Sequence, residues 1–277
     1  MSNTDHVVAG LKTVVAGCGR MGEPMLAALR AAGFAATGFD LRDPSDYGPD
    51  NRSITDDPAN LPRDTKILIS VVRDIAQTEE LLFSGQALPE RLPELTHVVI
   101  SSTLSPRYIS ALKDRMSCTV IDAPMSGAAI AAQEARLSFM LGGSKRDIDH
   151  LMPLFSAMGA HFHHMGDTGA GMAAKVLNNL LAATNTATTR LVLDWADAAQ
   201  IDEKKLLDLI HTSSGQNWLA SGFQEIEFAR DGFAGDNTIG ILKKDVESAL
   251  DAAPPGADTS LPETVIRHIR ALKPRAR

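Results

Sequence analysis

Short β-branched runs and amphipathic stretches alternate through the first half of the chain, and that alternation stops near residue 165. The apolar runs predict strands over Thr13–Ala16, Ala36–Phe39, Ile67–Val72, Val98–Ser101 and Val120–Asp122. Between them, apolar positions recur at helical spacing over Met21–Ala32, Ala76–Phe83 and Pro106–Met116. Strands that are apolar throughout, separated by helices, predict an open parallel sheet covered on both faces. Gly33, just past the first helix, is placed to end it.

Beyond HFHHMGDTGAG the pattern is helical almost throughout, over Ala170–Gln200, Glu203–Thr212, Trp218–Phe228, Ile239–Ala252 and Pro262–Leu272. The first of these is long, rich in Ala and Leu, free of Pro, and without Gly after Gly171. It reads as one helix that leaves the sheet domain and forms the spine of a second, all-helical domain. The Pro/Gly cluster at Ala253–Asp258 is a loop, and no internal repeat or low-complexity segment is present. The expected division is a sheet domain over residues 1–165 and an all-α domain over 166–277.

A length of 277 residues also favours two domains over one. Hydrophobic residues at 44% and charged residues at 22% are globular proportions, and aromatics at 5% leave aliphatic side chains to build the core. A net charge of −7 argues against nucleic acid as the main partner, although a few local cations can still hold an anionic substrate. The two cysteines, Cys18 and Cys118, offer neither a disulfide framework nor a zinc site. The opening MSNTDHVVAGLK does not read as a leader, and no apolar run reaches membrane-spanning length, so a cytoplasmic protein with no membrane partner is expected.

Chemistry enters with TVVAGCGRMGEPM, where Gly17, Gly19 and Gly22 stand in G-x-G-x-x-G spacing between the first strand and the first helix. Gly17 permits a tight turn, Gly19 lets a pyrophosphate approach the backbone, and Gly22 lets helix and strand pack closely. Asp40 ends the second strand, 18 residues after Gly22, where a carboxylate can accept the adenosine ribose hydroxyls. The fold class is therefore α/β, a Rossmann-type doubly wound sheet domain followed by an all-α C-terminal domain. The cofactor is NAD, with NADP possible because Arg42 could clamp a 2′-phosphate that Asp40 would repel. Arg20 and Met21 inside the loop and Val72 at a strand end are further candidate cofactor contacts. Cys18, at the variable position of the loop, is expected to have a helix-lowered thiol pKa.

Four further segments follow in order: SSTLSP at 101–106, DAPMSGAAIAAQEARLSFMLGG at 122–143, GAGMAAKVLNN at 169–179 and KKDVESAL at 243–250. With GCGRMG, these resemble the β-hydroxyacid dehydrogenase family, which includes 3-hydroxyisobutyrate dehydrogenase and tartronate semialdehyde reductase. The resemblance runs from about residue 12 to 265. It implies hydride transfer between a nicotinamide cofactor and a small β-hydroxyacid or its semialdehyde.

In that family the lysine matching Lys175 is the general acid/base. Lys175 and Asn179 are four apart, so on a helix they share a face and can reach one substrate. A lysine partly buried beside a positively charged ring should have a depressed pKa and accept the hydroxyl proton near neutral pH. Asn179 would orient the substrate, and Asn178 would support the turn or the cofactor side. Ser126 and the amides of Gly127 and Ala128 would hold the substrate carboxylate. Thr103 matches a residue near the nicotinamide ribose; its simpler reading is a cap on the helix that Pro106 starts. Lys244 and Asp245 match the family's Lys-Asp pair, with Lys244 near the cofactor, and Trp218 sits where the family often has an aromatic.

The chain departs from the family at Ala128 and Ala135, where glycines are usual, and stops at ALKPRAR where relatives continue with a longer helix and tail. The departures bear on substrate shape and subunit contacts. A homodimer or homotetramer is expected from the family's interlocking helical domains. His161, His163 and His164 lack carboxylate or thiol partners at ligand spacing, so no metal is expected. A catalytically silent NAD(P)-binding sensor or assembly protein is the competing reading, opposed by Lys175 and Asn179. Imine reductases differ at the lysine, and phosphogluconate dehydrogenases have a much larger helical domain.

Overall fold

The computed structural model describes residues 11–47, 53–235 and 237–276. The opening segment read above as lacking a leader lies largely outside them. The chain separates into two compact units, Met1–Lys175 and Val176–Arg277, and the division falls inside one long helix.

The first unit is built on β1 (Thr13–Ala16), β2 (Ala36–Phe39), β3 (Ile54–Thr55), β4 (Ile67–Ser70), β5 (His97–Ile100), β6 (Thr119–Asp122), β7 (Met125–Ser126), β8 (Leu137–Gly142) and β9 (Gly159–Gly166). The strand order is β3-β2-β1-β4-β5-β6-β8-β7, with β9 paired to β8. From β3 to β6 every pairing is parallel, in registers such as Ala16↔Phe39 and Ala16↔Ser70. The order reverses between β1 and β4, which opens a crevice at the carboxyl ends of those strands. Four of the strands, β1, β4, β5 and β2 apart from Thr37, are buried along almost their whole length, as a sheet covered on both faces requires.

Helices α1 (Gly22–Ala31), α2 (Ile75–Leu82), α3 (Leu88–Arg91), α4 (Pro106–Arg115), α5 (Ala128–Gln133) and α6 (Lys145–Met158) connect the strands. One apolar layer joins Met25, Leu26 and Leu29 of α1 to Leu151, Leu154 and Phe155 of α6. The opposite face of the sheet packs Leu81 and Leu82 of α2 with Ile109 and Leu112 of α4.

The sheet is not wholly parallel. β8 runs antiparallel to β6 (Asp122↔Gly142) and to β7 (Met125↔Phe139), and parallel to β9. The cause is local: β7 follows β6 after two residues, and the short α5 turns the chain straight back as β8. At the end of that turn Ala135 adopts φ +50°, a left-handed conformation that an L side chain enters at a cost. Ala135 therefore keeps the backbone path a glycine would take. Ala135→Gly is expected to raise stability by about 0.5–1 kcal/mol, read as a small upward shift of the thermal midpoint.

The second unit begins within α7 (Ala170–Ala198) and adds α8 (Glu203–His211), α9 (Trp218–Ser221), α10 (Thr238–Asp251) and α11 (Ser260–Ala271). Ala183 and Ala187 of α7 pack against Ile239, Leu242 and Val246 of α10 and Val265 and Ile269 of α11. The helix predicted over Trp218–Phe228 is helical only to Ser221. Gly222 ends it, and turns follow in which the amides of Glu225 and Ile226 donate to the Gly222 carbonyl at 2.9 and 2.8 Å. Glycine favours that break because it gains least from the helical state.

The last described residues, Arg275 and Ala276, are fixed to this unit. Arg275 donates to Glu203 at 2.6 Å, Asp194 at 3.1 Å and Asp197 at 2.8 Å. The buried Arg190 donates to the carbonyls of Ala229, Asp231 and Lys273, tying the 229–231 turn to the residues after α11.

Candidate functional site

The glycine loop sits at the reversal point of the sheet. Gly17 has φ +93°, and a Cβ there would stand 2.9 Å from backbone atoms of Val71 and Val72. A Cβ on Gly22 would overlap the Gly17 carbonyl, so the turn closes only with glycine at both positions. At Gly19 a Cβ would meet nothing within 4 Å. Two glycines are thus required by the protein's own packing, and the third borders open space.

No side chain caps the N-terminus of α1 at Met21, which leaves the positive end of that helix facing the loop. Arg20 is exposed, Met21 rests partly on the core, and half-buried Val72 lies beside Gly17. The features a dinucleotide pyrophosphate needs are therefore present: backbone that can be approached, amide donors and a positive helix end.

Asp40 follows β2 and faces Arg42. The Arg42 guanidinium and amide both donate to Asp40 Oδ1, at 3.2 and 3.1 Å. The same guanidinium donates to the Cys18 carbonyl at 2.8 Å and the Tyr47 hydroxyl at 2.6 Å, and lies over the Tyr47 ring. Burial pushes the Asp40 carboxyl upward, but the Arg42 and Tyr47 hydrogen bonds outweigh it and hold the group below its ordinary range. Tyr47 is absent from the sequence reading because nothing in its spacing marks it; its part follows from where the loop after β2 returns.

Cys18 departs from the sequence expectation. The thiol is buried, and burial with the Asp40 charge pushes its pKa up to about 12. Its Sγ faces the Val15 carbonyl at 3.5 Å, back toward β1, so the helix end does not activate it.

Thr103 is half-buried between β5 and α4 and does not cap that helix. Ser105 does, accepting from the Tyr108 amide at 3.4 Å. The neighbouring Ser102 hydroxyl donates to the Val72 carbonyl at 2.5 Å, which joins the SST turn to the β4 end of the crevice. In the DAPMSG segment Ser126 pairs with Ser138 on β8, and Gly127 turns with φ +133° into α5, which starts at Ala128. A side chain at Gly127 would press on Ala131, its Cβ 2.5 Å away.

Lys175 and Asn179 both lie on α7 and are both buried, at 7% and 8% exposure, whereas Asn178 is exposed. Burial of a lysine and an asparagine one turn apart is the reverse of a solvated helix face. The Asn179 amide donates to the Asp245 carboxylate of α10 at 2.8 Å, which fixes the side chain's orientation. Asn178 approaches the Asn179 carbonyl oxygen at 3.4 Å. On α10, Lys243 forms an ion pair one turn on with Glu247, while Lys244 stands next to the buried Asp245. Trp218 is 40% exposed, tilted against Phe228, and is not a core residue.

Asp122, read from the sequence only as a strand end, is fully buried. Its Oδ1 accepts from the Gly169 amide at 2.6 Å and its Oδ2 from the Met172 amide at 2.5 Å, both at the start of α7. Burial pushes this carboxyl up, against the amides of Gly169, Met172 and Gly171, which favour the ionised form. Among the described residues, no cluster of His, Cys, Asp and Glu could hold a metal ion, and no helix is long and apolar enough to cross a membrane.

Residues 12–166 match the NAD-binding domain family of 6-phosphogluconate dehydrogenase. Residues 169–269 match the family described as NAD-binding of NADP-dependent 3-hydroxyisobutyrate dehydrogenase. The chain is 29% identical over 255 residues to an NAD-dependent L-serine dehydrogenase of Pseudomonas aeruginosa, covering 88% of this chain and 86% of that protein. It is also 29% identical over 245 residues to the 3-hydroxyisobutyrate dehydrogenase of the same organism, covering 84% of this chain and 82% of that protein. Among solved structures, the 3-hydroxyisobutyrate dehydrogenase of Mycobacterium tuberculosis with L-serine shares the fold, with a TM-score of 0.72 at 24% identity over 93% of this chain and 92% of that one.

Proposed function

This chain belongs to the β-hydroxyacid dehydrogenase family and is an NAD(P)-dependent 3-hydroxyacid dehydrogenase; on that premise we propose that Lys175 is its general acid/base and that its substrate is a small β-hydroxycarboxylate. The observation that carries the reading is the burial of Lys175 and Asn179, four residues apart on one helix. A buried ammonium is costly unless it has a task or a partner, and a lysine near the reacting hydroxyl has both.

Residues 1–165 would form the dinucleotide-binding domain and 166–277 the substrate and dimerisation domain. The loop Gly17–Gly22, with Asp40, would hold the cofactor through its pyrophosphate and adenosine ribose; Arg42, Val72, Thr103 and Lys244 would border it. The bound nicotinamide supplies the hydride acceptor. Lys175 Nζ takes the proton of the substrate hydroxyl during oxidation and returns it during reduction. Asn179, held by the hydrogen bond its amide donates to Asp245, would orient the substrate by hydrogen bonding, with Asn178 beside it. Ser126 and the amides of Gly127 and Ala128 receive the carboxylate.

NAD is the preferred cofactor. Asp40 is ionised at neutral pH where a 2′-phosphate would come, and Arg42 is already engaged by Asp40, Cys18 and Tyr47. The expected kcat/KM with NAD exceeds that with NADP by about tenfold or more, since like-charge juxtaposition costs several kcal/mol. A preference for NADP in the same assay would contradict this.

The working form is at least a dimer. Leu177, Leu181, Thr184, Thr188, Leu191 and Trp195 fall at alternating four- and three-residue intervals on α7, a seam suited to a second copy of the same helix. Leu177, Leu181 and Trp195 are 59%, 66% and 68% exposed, and the hydroxyls of Thr184 and Thr188 bond to carbonyls of their own helix at 2.7 and 2.8 Å. Light scattering should give twice the 29.6 kDa chain mass or more; a monomer at micromolar concentration would refute it.

The test of the whole reading is a panel of acids that includes L-serine, 3-hydroxyisobutyrate, glycerate, 4-hydroxybutyrate and L-threonate, followed by absorbance of the reduced cofactor. Turnover confined to β-hydroxyacids is expected. Turnover of none, or of the 4-hydroxy compound alone, would overturn the substrate class.

A further inference from the structure

Asp122 has no part in the chemistry set out above, yet it is a fully buried carboxylate 53 residues before the lysine, at the end of β6 and paired with Gly142 of β8. Both its oxygens are taken by backbone amides of one helical turn, Gly169 at 2.6 Å and Met172 at 2.5 Å, with Gly171 contributing a third. A carboxylate against the first turn of a helix satisfies N–H groups that have no partner within the helix and complements its positive end. Here the cap comes from the sheet, not from the adjoining loop. It therefore holds the first turn of the helix, up to Lys175, against β6 and β8.

The surrounding glycines are shaped to this carboxylate. A Cβ on Gly142 of β8 would overlap Asp122 Oδ1. A Cβ on Gly171 would overlap the Met140 carbonyl and stand 3.0 Å from Asp122 Oδ2. Gly169 takes φ +99° to bring its amide inward. Thr168 adds a bond to the Val120 carbonyl at 2.9 Å, and the Met172 sulfur receives the Leu104 amide at 3.2 Å. The DAP, LGG and GAG segments, far apart in the chain, thus meet at one carboxylate. Lys175 follows Met172 by three residues and Gly171 by four, so in the helical ladder its backbone amide is bonded to the carbonyl of the turn that Asp122 grips.

We infer that Asp122 is the positioning residue for Lys175: by seating the first turn of α7 on the sheet it sets where the lysine Nζ stands. This rests on Lys175 being the proton-transfer group. Asp122→Asn keeps the size but turns an NH₂ toward amide N–H donors, so at least one bond is lost and the turn shifts. A displacement of about 1 Å at a reacting group costs on the order of 10²-fold in rate.

The test compares Asp122→Asn with the native chain and repeats the comparison in the Lys175→Ala background, with turnover restored by added methylamine. NADH affinity is read by fluorescence titration and local seating by amide hydrogen exchange over residues 168–176. In the native background, kcat is expected to fall by about 10²-fold with NADH affinity unchanged within about twofold. In the Lys175→Ala background, amine-restored turnover should be unaffected, because the amine diffuses in without the helix. Exchange over 168–176 should accelerate while β1 to β5 stay protected. Equal losses in both backgrounds would reduce Asp122 to a structural residue, and native kcat in Asp122→Asn would overturn the inference outright. Were Lys175→Ala itself to keep native turnover, the proton-transfer reading would fall; unaltered exchange would then also reject the seating. Should Asp122→Asn fail to fold, Thr168→Val removes only the neighbouring bond to the Val120 carbonyl and is expected to give the same pattern at smaller amplitude.

Discussion

Lys175→Ala is expected to lower turnover by about 10³-fold while leaving NADH affinity unchanged within about twofold, because it removes a proton acceptor and not a cofactor contact. The cofactor loop belongs to β1, α1 and β2, whereas Lys175 stands on α7. Alanine is a good helix residue, so the helix survives the change. The loss should appear in kcat and kcat/KM alike, as for an interaction made in the transition state. A matching loss of NADH affinity would mean that Lys175 serves the cofactor instead. A small primary amine should restore part of the turnover.

The second large effect is expected at Gly19. A Cβ there meets no atom beyond its chain neighbours within 4 Å, and the residue is not in the left-handed region, so Gly19→Asp should fold and melt like the parent. Its carboxylate would occupy the space where the pyrophosphate approaches and repel it, weakening NAD binding by about 10²-fold or more. Gly22→Ala is the informative contrast. Its Cβ overlaps the Gly17 carbonyl, so it should lower thermal stability as well as affinity. Isothermal titration with NADH beside a melting curve separates the two. Unimpaired binding in Gly19→Asp would move the cofactor away from this loop.

The sheet was legible from the sequence where its chemistry is local. β1 and β2 fall at their expected residues because an apolar run, a glycine turn and a polar residue mark each end. β4 stops at Ser70, two residues short of the expected Val72, since Val71 and Val72 cross the top of the sheet beside Gly17 despite being apolar. β8 and α6 are not evident from the pattern. β8 is continuous with the motif that precedes it, and Pro153 inside α6 reads as a break. In the fold α6 is a single helix capped by Ser144, with Ile148, Leu151, Leu154, Phe155 and Met158 on its buried side.

The candidate site divides in the same way. Gly17, Gly19, Gly22, Asp40, Lys175 and Asn179 carry their meaning in residue type and spacing. Asp122 does not, because its partners are backbone amides 47 and 50 residues away, and an amide imposes no residue type that a sequence could display. Cys18 was legible only halfway: its place near a helix end predicts an activated thiol, and burial reverses the sign. Tyr47 and Arg275 likewise act through partners that only the folded chain brings near, Arg42 for the first and Asp194, Asp197 and Glu203 for the second. Ala135, where the family usually has glycine, takes a left-handed backbone conformation that residue type alone does not display.

Hydride transfer from the hydroxyl-bearing carbon of a β-hydroxyacid to the nicotinamide is best tested by following that hydrogen. The chain is supplied with NAD and a β-hydroxyacid from the panel deuterated at that carbon, and the reduced cofactor is examined by mass spectrometry. Deuterium in the NADH formed, with loss of its formation in Lys175→Ala, is the expected result; unlabelled NADH, or labelled NADH formed as fast without Lys175, would contradict it.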